Sequence, residues 1–339
     1  MQEKANDAYV PIAKNGEDLR CGLNLTYRSL ASVLKYDHCI PSRRHDRKPG
    51  QAIKGYYIDE RDLVISIKNA VVGKAPLKNF KTIECSIMDI SDDIAYSTYD
   101  LEDCFKAKFL TPLDLFTLDD GIISRVVKKI RERIKKSYSS REAASFTKSE
   151  LIGHLFVVFS EMLEIGKEEA QLLKDGKIRW EEKKLIISAQ VKRFSERIAE
   201  NGYERVKLTS GLVQTFMEGV EIKPHRSFPQ LHRARLNIET FKTVEVLKNI
   251  TYEAIIMSPR VKLVEYRGKD IIKQIFKAID GKKGHLLLPD DYRELHAAAT
   301  GSAKKRVICD FIAGMTDRYA WEFYNRLYGA ANISIHKPI

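Results

Sequence analysis

The sequence predicts an all-α fold, and three observations carry that expectation. Apolar residues recur at spacings of three and four along most of the 339 residues, which is the period of helices with one buried face. Strand signal is confined to Arg260–Tyr266, RVKLVEY, so at most a short strand pair is expected. Hydrophobic content of 44% and charged content of 31% are those of a globular chain, and its length suffices for a large core or two subdomains.

In chain order, residues 1–21 show little periodicity and read as an arm. Helical patterning then covers about 23–36. Residues 38–57, rich in Pro, Gly, Arg and Lys, read as a loop, and a short helix is expected over about 60–72. Beyond Thr111 and Pro112 the spacing predicts helices at about 119–137, 147–170, 180–200, 203–219, 235–256, 268–280, 289–299 and 302–328. Three segments are expected: the arm 1–21, a helical core 22–137 and a C-terminal helical part 138–339.

The most informative element is Ile83–Phe105, IECSIMDISDDIAYSTYDLEDCF, which holds seven carboxylates and no Lys or Arg in a protein of net charge +12. At about 100° per residue, Ile83, Ile87, Ile90, Ile94, Leu101 and Phe105 share one sector, while Asp89, Asp92, Tyr96, Asp100 and Asp103 share the opposite one. Like charges stacked at i, i+4 weaken a helix. A divalent metal, a basic partner or bulk water could each compensate the stripe.

The positive charge is clustered as well. Arg125–Lys136, RVVKKIRERIKK, has seven basic residues against one acid, and Arg43, Arg44, Arg47 and Lys48 crowd one short loop. Both clusters read either as solvated faces or as surfaces for a polyanion such as single-stranded nucleic acid. No apolar run reaches the length of a bilayer span, and the N-terminus lacks the apolar core of a secretory signal. A cytoplasmic location is therefore expected. The five cysteines, at 21, 39, 85, 104 and 309, form no C-x-x-C pair and read as reduced structural thiols. HExxH, G-x-x-x-x-G-K-[ST] and G-x-S-x-G motifs are absent from the sequence.

Asp92-Asp93-Ile94-Ala95-Tyr96 followed by Asp100–Asp103, D-D-I-A-Y-x-x-x-D-L-E-D, resembles the signature helix of the deoxyguanosine triphosphate triphosphohydrolases, a branch of the HD-domain phosphohydrolases. Gly22–Asp37, GLNLTYRSLASVLKYD, resembles the helix that precedes that signature, and Lys305–Gly329 resembles the family's C-terminal helix. The resemblance runs from about residue 22 to the C-terminus. It implies an HD-like helical core, incomplete in this chain, over 22–137.

It also implies roles. Asp92 takes the place of the last metal ligand, and the metal would be Mg, Mn or a similar divalent ion. Tyr96 would lie against the deoxyribose, Asp100 would accept the 3′-hydroxyl and Lys35 would sit near the phosphates. The substrate class implied is a dNTP, especially dGTP, cleaved to deoxynucleoside and tripolyphosphate. A homo-oligomer, or a complementing N-terminal polypeptide, is the implied partner. The family's early His, its His-Asp pair and its catalytic His precede the matched segment, and Met1–Cys21 has no histidine. The one His-Asp dipeptide, His45-Asp46, lies in a charged, loop-like stretch. No catalytic residue is assigned, and a truncated or split triphosphohydrolase is expected, with a catalytically inactive nucleotide- or nucleic-acid-binding protein as the alternative.

Overall fold

Thr82 starts the helix around which the larger part of the protein is built. In the computed structural model, which describes residues 23, 25–41, 53–73, 80–160 and 192–329, its hydroxyl accepts the Cys85 amide at 3.2 Å. That bond satisfies one of the open donors of a helix start. The arm, His45-Asp46, the Arg43–Lys48 cluster and the expected helical stretch within 161–191 lie outside the described residues.

In chain order the helices are α1 (Tyr27–Val33), α2 (Arg61–Val72), α3 (Ile83–Lys106), α4 (Pro112–Phe116), α5 (Asp120–Ser137), α6 (Ser140–Ser145) and α7 (Lys148–Ser160). Residues 192–200 form α8 and Gly202–Glu218 form α9. Strands β1 (Val220–Lys223) and β2 (Arg233–Leu236) pair antiparallel, Val220 opposite Leu236. Then follow α10 (Ile238–Thr251), α11 (Pro259–Asp280), α12 (Asp290–Ala298), α13 (Ser302–Ala313) and α14 (Asp317–Tyr328). The fold is all-α with one short hairpin.

The chain divides into two compact units, Thr26–Ser258 and a smaller one from Pro259 onward. In the larger, α3 packs against α1, α9, α10 and β2. Neighbours on so many sides explain why small polar residues of α3 are buried with its apolar ones. Ser97 and Thr98 return their hydroxyl protons to the Ile94 carbonyl at 2.8 and 2.9 Å. The Ser86 hydroxyl accepts the Ala234 amide at 2.8 Å and so ties the hairpin to α3. Ile87, expected in the apolar sector, is 47% exposed. The smaller unit has its own core, in which Ile271, Ile275 and Ile279 of α11 meet Ile308, Phe311 and Phe323.

Two expectations are corrected. Arg260–Tyr266 is helical, not a strand. Pro259 at the first helical position presets the backbone, and the Ile271, Ile275, Ile279 seam extends the same helix past the local alternation. The strand pair lies instead at 220–236, where each strand has only four residues. The helix expected over 302–328 is two helices, because Gly314 ends α13 and the Thr316 hydroxyl caps α14 by accepting the Tyr319 amide at 3.2 Å.

Candidate functional site

Helical spacing places Asp89, Asp92 or Asp93, Tyr96 and Asp100 at successive turns of α3, and the surroundings split this stripe into two chemically different halves. The N-terminal half is neutralised from within the chain. Lys35, two residues past α1, places its ammonium 2.6 Å from Asp92 and 3.1 Å from Asp89, and Lys81 also pairs with Asp89. The hydrogen bond to Asp92 raises the Lys35 pKa above its ordinary value despite the opposing effect of burial. Asp37, at the end of the same segment, accepts the Phe80 amide at 2.9 Å and pairs with Lys68, which fixes the stretch that carries Lys35.

On the other side of the doublet, Asp93 meets Lys248 of α10 at 2.6 Å and Arg133 of α5 at 3.6 Å. Both cations also reach Glu245, which is 1% exposed, at 3.4 and 2.9 Å. Four charges on three helices thus satisfy one another, as a buried carboxylate requires. One to two turns on, Glu253 sits in a π-helical turn, Tyr252–Ile256. It is held by Arg125 at 2.9 Å and Lys129 at 2.6 Å, and Lys129 lies 4.1 Å from the Tyr252 ring centroid.

The C-terminal half of the stripe is different. Among the described residues no cation pairs with Asp100 or Asp103. Burial, then the Asp103 charge, pushes the Asp100 carboxyl above its ordinary range. Tyr96, between Asp92 and Asp100 on the same face, is 52% exposed, and Tyr99 beside it is equally open. A cation, an open aromatic ring and a carboxylate with spare acceptor capacity therefore follow one another along about three helical turns. That order suits a ligand with an anionic end, a ring to stack and a hydroxyl to donate.

The sequence brought Asp92, Tyr96 and Asp100 together by helical spacing, and the structure adds Lys35 in direct contact with Asp92. Sequence reasoning missed Lys248, Arg133 and Glu245; the run of basic residues over 125–136 was the available signal, read then only as an outward-facing surface. A divalent ion needs several preorganised oxygen or nitrogen ligands. Among the described residues no three His, Cys, Asp or Glu side chains gather into such a cage, and Asp92 is engaged by Lys35. These residues do not fit a resident metal by themselves. No helix among the described residues is long and apolar enough to cross a membrane.

Comparison with known proteins gives concordant matches. A Phosphohydrolase-associated domain matches residues 234–326, from β2 to α14. Over 97% of its length the chain is 41% identical to the deoxyguanosinetriphosphate triphosphohydrolase-like protein 2 of Mesorhizobium japonicum, of which it covers 69%. It is 26% identical to a deoxyguanosinetriphosphate triphosphohydrolase-like protein of Aliivibrio fischeri, with 91% of this chain and 65% of that one covered. A like-named protein 2 of Deinococcus radiodurans is also 26% identical, with coverage of 91% and 63%. The chain spans about two thirds of the length of these curated relatives.

Proposed function

Because this chain belongs to the deoxyguanosinetriphosphate triphosphohydrolase family, we propose that the exposed stripe of α3 is the deoxynucleoside-holding edge of a dNTP triphosphohydrolase site. The reaction is hydrolysis of dGTP, or a related dNTP, to deoxynucleoside and tripolyphosphate. The observation that carries this reading is the asymmetry of the stripe. Lys35 lies against Asp92 at 2.6 Å, whereas Asp100 has no cation partner among the described residues.

In this reading each residue does one thing. Lys35 turns from Asp92 toward the triphosphate, a charge-assisted contact. Tyr96 covers the sugar face and leaves no room for a 2′-hydroxyl. Asp100 accepts a hydrogen bond from the 3′-hydroxyl. Asp92 supplies one ligand toward a divalent ion that would polarise phosphate and activate water when bound. The further ligands are assigned to a segment outside residues 1–339, in cis or on a partner chain; the curated relatives extend beyond the matched region.

The test compares binding of dGTP, GTP and 2′,3′-dideoxy-GTP by titration calorimetry. Loss of one charge-assisted hydrogen bond costs roughly 1.5–3 kcal/mol, so dideoxy-GTP should bind about ten- to a hundred-fold more weakly than dGTP. Asp100→Ala should remove that difference. Equal affinity of the unsubstituted chain for dGTP and dideoxy-GTP would overturn the role of Asp100.

A further inference from the structure

The smaller unit contains an open cleft that none of the preceding roles uses. It has a volume of about 260 Å³ and is lined by Tyr292, Phe311, Gly314, Met315, Thr316 and Tyr319. Pockets of roughly 300–1,000 Å³ bury drug-sized ligands, so this one suits a single ring system. Its tyrosines are backed by core phenylalanines: Tyr292 lies 5.3 Å from Phe311, and Tyr319 stacks at 6.2 Å on Phe323. The rings are therefore held as fixed platforms.

Two further observations define the ligand. Neither the Tyr292 nor the Tyr319 hydroxyl makes a hydrogen bond within the described residues, so the cleft offers two polar contacts beside its aromatic faces. A purely aliphatic occupant would leave both unused. Nearby charges are already matched, Arg306 with Asp310 at 2.7 Å and Arg318 with Glu322 at 2.9 Å, and Asp317 adds a negative charge at the start of α14. An anion gains nothing here.

We propose that this cleft binds an uncharged planar heteroaromatic ring of the nucleobase class, stacked on the tyrosines with its polar edge toward their hydroxyls. Gly314 lies on its wall: a Cβ there would meet nothing closer than 3.5 Å and would stand 3.9 Å from the Tyr292 hydroxyl, so a larger side chain grows into the space beside that tyrosine. The ring could arrive as a free nucleoside or as a base of a single strand. The proposal is independent of the roles given to α3.

The experiment uses the full chain and follows deoxyguanosine, dGMP and a short single-stranded oligodeoxynucleotide by equilibrium dialysis and saturation-transfer NMR. Deoxyguanosine should bind at least as well as dGMP. Gly314→Val, which fills the cleft from an unstrained backbone position, should weaken deoxyguanosine about tenfold or more, with circular dichroism unchanged. Tyr319→Leu should do the same through lost stacking and serves if the first variant fails to fold. Lys269→Ala, on an exposed face of α11, should leave this binding intact. Weakening of the oligonucleotide by the same variants would identify the single strand as a source, and its absence would leave the free nucleoside. The proposal is overturned if deoxyguanosine does not bind, if its binding survives both Gly314→Val and Tyr319→Leu, or if the Tyr319→Leu-sensitive binding of dGMP is distinctly tighter than that of deoxyguanosine.

Discussion

Single carboxylates in this protein differ by what surrounds them, and Glu253 is the sharpest case. Burial pushes its carboxyl up, but hydrogen bonds from Lys129 and Arg125 outweigh that and hold it below its ordinary value of 4.5. A depressed carboxylate contributes stability that is present above its unfolded pKa and is lost as pH falls through the folded value. Replacing both cations with methionine leaves the buried carboxylate alone, which costs about 3–5 kcal/mol near neutrality. The lone carboxyl then has a raised pKa, so the deficit shrinks as it protonates. We expect the calorimetric Tm gap between unsubstituted chain and variant to narrow steadily from pH 7 to about pH 4; a gap constant over that range would show that Glu253 is not the group responsible. Residues such as Asp92, Tyr96 and Asp100 were legible in the sequence because their spacing is local. The partners of the Asp92-Asp93 doublet were not: Lys35 lies 57 residues before Asp92 and Lys248 lies 155 after Asp93, and contacts at such separations leave no periodic trace.

Among the elements, α3 was nearly fully legible, as its start at Ile83 coincides with the apolar and acidic periodicity. The hairpin was not, because four-residue strands such as VEIK and RARL carry too little alternation. Its trace was Gly219, where a Cβ would stand 2.2 Å from the Thr240 hydroxyl oxygen. Helix α5 was placed well but its purpose was misjudged. Arg125, Lys129 and Arg133, one turn apart, point at buried Glu253 and Glu245, and Arg131 donates to the Phe146 carbonyl at 2.8 Å, which leaves Lys128, Lys135 and Lys136 as the exposed basic residues of this helix without a partner among the described residues. Single-stranded nucleic acid bound through α5 should therefore show a log K against log salt slope no steeper than about −2, at roughly −0.7 per contacted charge. Serine at 128, 135 and 136 should abolish that component. A slope unchanged in the triple variant, measured by fluorescence anisotropy, would place nucleic-acid contacts on another element.

Taken as a whole molecule, residues 1–339 should bind dGTP yet release no measurable tripolyphosphate with Mg or Mn present, because affinity for a catalytic ion comes from several preorganised ligands and Asp92 is one. Robust release, abolished by Asp92→Ala, would show that this chain completes the metal site itself. Covering the smaller unit's core with leucine-to-alanine-size losses, as in Ile275→Ala at a fully buried position, should cost about 2–5 kcal/mol, seen as a lowered denaturation midpoint for that unit. A last consequence follows from the pairing of α5 with α10 and its π-helical turn. Arg125 meets Glu253 and Arg133 meets Glu245, so the two helices run in opposite directions like the teeth of a zip. Slide one past the other by a single turn, about 5.4 Å, and either Glu253 comes to face Gly121 or Glu245 comes to face Ser137, with no cation opposite. Each slip strands one buried negative charge, so this pair behaves as a ratchet with its pawl engaged, and ligand-driven movement in the larger unit has to pass through other joints.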